Sequence, residues 1–140
     1  MHAITLAVAD LTGSGHDDFI YADQGLDHIA VQYAGAAPAL MPDPTRSVLA
    51  PGAVKLADVN GDGTADLVVA NSGGNSVLVY LGSGGGFAPV QRFFVGNNPA
   101  GLTIADFNGD GKPDLLPANE DHNHVASVLG PGHGGVRALI

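Results

Sequence analysis

Asp58, Asn60 and Asp62 stand at alternate positions, Gly61 and Gly63 lie between them, and Asp66 closes the nine-residue stretch. Forty-eight residues later the pattern returns as Asp106, Asn108, Asp110 and Asp114, with Gly109 and Gly111 in the same places. Forty-eight residues earlier stands a weaker copy, Asp10, Thr12, Ser14 and Asp18. Side-chain oxygens at positions 1, 3 and 5 of a tight loop turn toward one centre, and the glycines at positions 4 and 6 permit the positive φ angles that such a turn needs. Position 7 offers a backbone carbonyl, which accounts for the drift in its identity between His16, Thr64 and Lys112. Position 9 supplies a last carboxylate. A set of hard oxygen donors with irregular geometry suits Ca2+, which takes six to eight oxygens at about 2.3–2.6 Å. Three carboxylates this close repel one another without a cation. A bare hairpin turn needs one Asn-Gly or Asp-Gly dipeptide, not an oxygen cluster at fixed spacing.

The loop is not an EF-hand. That motif requires a bidentate glutamate at position 12, where this chain has Val69 or Pro117. The first loop keeps only Asp10 and Asp18 as charged ligands, so its calcium site is expected to be weak or empty.

The loops belong to a longer unit. Ala9, Ala57 and Ala105 precede them; Ala22, Ala70 and Ala118 follow, then Asp23, Asn71 and Asn119. Asp27, Asn75 and Asn123 come four residues further on, ahead of Ile29, Val77 and Val125. In the middle unit Ala53 to Ala57 and Leu67 to Ala70 flank the loop, and Ser72 to Asn75 reads as a turn. Val77 to Leu81 follows, with Val77, Val79 and Leu81 on one face; Gly82 to Gly86 breaks the chain before Phe87 to Val95. Four short apolar stretches with Gly/Asn/Asp turns predict an antiparallel meander, and no window has helical periodicity. The fold expected is all-β: three four-stranded blades of a β-propeller, as one repeat domain over residues 1–140. A β-sandwich explains glycine-rich strands but not the strict period. Pro117 lies midway along an expected second strand and predicts a bulge or an early strand end there.

Composition excludes several functions. The 140 residues carry a net charge of −9, which argues against a nucleic-acid partner. There is no cysteine for a disulfide or a thiolate site. No stretch approaches about 18 consecutive apolar residues, so no membrane span is expected, and the first residues show no signal peptide. His122 and His124 form an H-x-H element that is read as a solvated turn rather than a zinc or copper site. His2, His16, His28 and His133 show no ligand spacing to one another. Gly84 to Phe87 and Gly130 to Gly135 lack the lysine-serine pair of a phosphate loop. With the acids committed to the loops, no acid–base or nucleophilic constellation stands apart, and no enzymatic activity is expected.

The D-x-N-G-D-G-x-x-D loop running into Asp66-Leu-Val-Val-Ala-Asn71, then Asn75-Ser-Val-Leu-Val-Tyr-Leu-Gly82, resembles the FG-GAP/VCBS repeat. Such repeats build the calcium-bearing blades of integrin α-subunit propellers and of many bacterial secreted or surface proteins. The resemblance implies that each loop joins the first and second strands of a blade. It implies as ligands Asp58, Asn60, Asp62, the Thr64 carbonyl and Asp66; in the third unit they are Asp106, Asn108, Asp110, the Lys112 carbonyl and Asp114. In the first unit Asp10, Thr12, Ser14, His16 and Asp18 hold those positions. It also implies an extracellular or cell-surface module whose partner is a protein or a glycan. A carbohydrate-binding or carbohydrate-cleaving propeller is the alternative, though the chain has no tryptophan and only three tyrosines for sugar platforms. Three blades do not close a ring, so the expected partner is a second copy, as a homodimer completing six blades; the competing reading is a fragment of a longer propeller that stays monomeric or finds a different partner.

Overall fold

The computed structural model describes residues 4–41, 48–121, 127–129 and 137–139. The H-x-H element, His2, His133, Asn123, Val125 and the glycine-rich 130–135 stretch lie outside the described residues.

Each repeat forms one four-stranded antiparallel sheet. The first comprises β1 (Ile4–Ala9), β2 (Asp18–Asp23), β3 (His28–Gln32) and a two-residue β4 (Ala39–Leu40), in that order. The second comprises β5 (Pro51–Ala57), β6 (Asp66–Asn71), β7 (Ser76–Tyr80) and β10 (Gln91–Phe94). Between β7 and β10 a small hairpin, β8 (Gly82–Ser83) with β9 (Gly86–Phe87), stands off as its own two-stranded sheet. The third comprises β11 (Pro99–Ala105), β12 (Asp114–Asn119), β13 (Ser127–Leu129) and β14 (Arg137–Leu139). The expected meander is therefore present three times, and the turn expected at Ser72–Asn75 is a single 3-10 turn capped by left-handed Asn75. Among the described residues no helix is long and apolar enough to cross a membrane.

The sheets pack face to face, with the first strands β1, β5 and β11 side by side. Alternation along each strand sends successive side chains to opposite faces. Ile20, Ala22, Ile29 and Val31 of the first sheet thus meet Val54, Leu67, Val69, Leu78 and Tyr80 of the second in one core. The opposite face of the second sheet, Val68, Ala70, Val77 and Val79, packs against Leu102 and Leu115 of the third in another. Val77, Val79 and Leu81 do share a face, as their spacing predicts. Both faces of β6 and β7 are buried, so these strands read as near-continuous apolar runs rather than alternating ones.

The expectation at Pro117 needs correction. Strand β12 neither ends nor bulges there: it continues to Asn119, and Pro117 sits opposite Leu102. The register shift in this hairpin lies in β11, between Pro99 and Gly101, and recurs in β5 between Pro51 and Ala53. It is a property of the repeat, not of the proline.

Hydrogen bonds also join one repeat to the next. The Asp27 carboxylate accepts from the Ala50 N–H at 2.6 Å, and the Asn75 carboxamide oxygen accepts from the Asn98 N–H at 2.9 Å, at equivalent places 48 residues apart. All four residues have positive φ. The Ser72 hydroxyl adds a bond to the Pro99 carbonyl at 2.6 Å.

Candidate metal centre

Each aspartate loop connects the first and second strands of its sheet: 10–18 lies between β1 and β2, 58–66 between β5 and β6, 106–114 between β11 and β12. The glycines at positions 4 and 6 take φ between +72° and +85° in all three loops. That is the left-handed conformation their positions predict, and no neighbouring atom crowds them.

In the second loop the Asp58 carboxylate faces the turn and gathers its backbone. Oδ1 accepts from the N–H of Gly61 at 2.7 Å and of Asp62 at 3.1 Å, while Oδ2 accepts from Gly63 at 2.8 Å. Asn60 accepts from the Asp62 N–H through Oδ1 at 3.0 Å and donates through Nδ2 to Asp62 Oδ2 at 2.9 Å. Asp62 Oδ1 accepts from the Thr64 N–H at 2.8 Å. The third loop repeats each bond, with Asp106, Asn108, Asp110 and Lys112 in the same parts. In the first loop Asp10 holds the N–H groups of Ser14 and Gly15, and the Ser14 hydroxyl stands where a carboxylate would, accepting from His16.

Position 9 behaves differently. Asp66 is fully buried, its Oδ2 accepting from the Val59 N–H and its Oδ1 from the Gly82 N–H, both at 2.8 Å. Asp18 does the same with Leu11 and Ala34, and Asp114 accepts from Phe107. In the first two loops the ninth residue therefore ties the start of its own loop to the chain just past the third strand. Sequence reasoning missed Val59, Gly82, Leu11 and Ala34, because a backbone N–H leaves no mark on residue type. The signal was positional: Leu11 and Val59 are 48 residues apart, as are Ala34 and Gly82.

The electrostatics separate the acids. Hydrogen bonds from the Asn60 side chain and the Thr64 N–H hold Asp62 below the usual carboxylate range. The Gly15 N–H, foremost among several, lowers Asp10. Asp66 moves the other way. Burial pushes it up, the N–H bonds from Gly82 and Val59 oppose that, and the negative charges of Asp62 and Asp58 raise it further.

Among the described residues no three carboxylate or imidazole groups are drawn together around one point. The acids are turned to backbone N–H groups instead. The donor set still fits a hard cation. Each carboxylate has about four lone-pair sites, so two hydrogen bonds leave Asp66 with acceptor capacity, and Asp58, Asn60 and Asp62 surround the same exposed turn.

Residues 58–116 match the FG-GAP-like repeat, a stretch that takes in the second and third loops and the strands between them. No curated protein matches the chain.

Proposed function

We propose that this chain, whose residues 58–116 carry an FG-GAP-like repeat, is a calcium-binding interaction module built of propeller blades. It has no catalytic activity of its own and works outside the cell or on its surface. The observation that carries the reading is the oxygen cluster of the second loop, where the side chains of Asp58, Asn60 and Asp62 close on one turn; burial is the chief cause that raises Asp66 beside it, and the charges of Asp62 and Asp58 repel it as well. A divalent cation beside Asp58, Asn60, Asp62, the Thr64 carbonyl and Asp66 would offset that repulsion, and the third loop presents the same set.

Bound calcium would supply positive charge that holds the turn closed. It would also connect the loop to the third strand, because Asp66 already accepts from Gly82. Three meanders packed through their faces, with first strands adjacent, support the blade reading. Family repeats of this kind generally serve structure and interaction, which supports a binding role over an enzymatic one.

Calorimetric titration of chelator-stripped protein with calcium tests the proposal. About two sites per chain are expected, and magnesium should compete poorly because its octahedral demand suits this loop less. No heat of binding overturns the reading. Turnover in a glycoside-hydrolase screen would overturn the non-catalytic part.

A further inference from the structure

We infer that the outer face of the first sheet is a docking surface for the third sheet of a second copy of this chain, two copies closing head to tail. The inference rests on how the sheets pack and not on metal binding.

The repeat supplies the template. Val54, Leu67, Val69 and Leu78, on one face of the second sheet, are covered by the first sheet. Their equivalents 48 residues earlier are Leu6, Phe19, Tyr21 and Ala30, on the corresponding face of the first sheet. Among the described residues no other sheet packs against that face, although Ala30 within it is buried. Leu6 is 57% exposed, Val8 47%, Phe19 42% and Leu40 66%. Leu6 lies opposite Tyr21, Val8 opposite Phe19 and Leu40 opposite Ala30, so these side chains share one continuous surface across four strands. Scattered apolar residues need no explanation, but a contiguous face of this kind marks an interaction site.

The covering surface is defined by the same logic. At both internal junctions the occupant is the opposite face of a neighbouring repeat, represented by Ile20 and Ala22 at one and Val68 and Ala70 at the other. The third sheet carries Leu116 and Ala118 at those positions. Leu116 is half-buried and Ala118 exposed. The first sheet thus presents a face with large apolar side chains and the third a face with smaller ones, the two halves of a junction made twice within the chain.

Area decides between an open and a closed pairing. The strands of the first sheet and of the third hold 19 residues each, which at a rise of about 3.3 Å and a spacing of about 4.8 Å cover roughly 300 Å². A specific interface removes about 600–1,000 Å² from each partner. One junction falls short, while two junctions made at once come to the lower end of that range. The arrangement is a six-sheet ring with two-fold symmetry, within the four to eight blades that propellers use.

Light scattering on the full chain at micromolar concentration, with calcium and with EDTA, reads the outcome. A mass twice that of one chain is expected. Val8→Glu/Phe19→Glu should give a monomer with an unchanged circular dichroism spectrum, because both side chains are exposed in the free chain. Ala118→Arg at the opposite end should do the same. Leu26→Glu, in the exposed β2–β3 turn, should leave the doubled mass intact. A monomeric native chain overturns the inference. So does a dimer that tolerates Ala118→Arg, which would mean that the first face pairs with itself, and so does a mass that keeps growing with concentration, which would mean an open chain.

Discussion

Asp66 and Gly82, sixteen residues apart, are joined by a 2.8 Å hydrogen bond from the Gly82 N–H to the buried carboxylate. The same bond recurs between Asp18 and Ala34 in the first repeat, where the loop has lost two of its acidic or amide positions to Thr12 and Ser14. A residue expected to be a metal ligand is thus also a staple of the fold. The two roles separate experimentally.

With calcium absent, Asp66→Ala should destabilise the protein strongly, since it strands the Val59 and Gly82 N–H groups at about 1–3 kcal/mol each. Asp62→Ala, on the exposed rim, should cost far less in the same buffer. Both should abolish calcium binding at the second loop. Chemical denaturation in EDTA, set beside calorimetric titration, checks the pair; equal costs in EDTA would contradict the division of roles.

The loop acids should titrate in a defined order. Asp62 and Asp10 have folded values below 3.8. Their contribution to stability is present above the unfolded value and is lost as pH falls through the folded one. Asp66 lies above 3.8, so its contribution has the opposite sign: present below the unfolded value and lost as pH rises through the folded one. Carboxyl carbon NMR of metal-free protein should show Asp62 and Asp10 ionising before Asp66 on raising the pH. Calcium should bring Asp66 down.

The three loops should not bind equally. Affinity follows ligand charge, and the first loop offers Asp10 and Asp18 with two hydroxyls, so about two tight sites per chain are expected. Thr12→Asn with Ser14→Asp should raise the count to about three. At a hundredfold excess over Kd each occupied site adds about 2.7 kcal/mol, so calcium should raise Tm by several degrees. An identical Tm in EDTA would contradict occupancy.

Truncation along β7 should be costly on both faces. Leu78→Ala opens the core shared with the first sheet at about 2–5 kcal/mol. Val79→Ala opens the core shared with the third and should destabilise as well. If Val79→Ala were silent in urea unfolding, the second core would not be formed.

Much of this was legible in residue types. The 48-residue period located all three loops, the glycines forecast their positive φ, and the turn residues marked the strands. What stayed hidden was carried by backbone groups or by facing. Val77, Val79 and Leu81 declared one face, but Leu78 and Tyr80 between them are as deeply buried, because a strand between two sheets has no solvent side to betray it. Asp27 and Asn75 stood out as repeated positions, yet their role as acceptors was invisible, since their donors are the backbone N–H groups of Ala50 and Asn98. The Pro117 reading failed for a related reason. A residue preference describes what proline does to a strand on average, while here the pairing opposite Leu102 is kept.

The bonds from Asp27 to Ala50 and from Asn75 to Asn98 have a consequence for how the molecule comes apart. Each lets the turn of one repeat hold the opening of the next, and the middle sheet has no face of its own to keep dry. In a linear array, stability is the sum of each unit and its nearest-neighbour couplings. Here the middle sheet packs against a neighbour on both faces, so melting should run through all three repeats as one cooperative transition, with no stable middle fragment to be found by limited proteolysis.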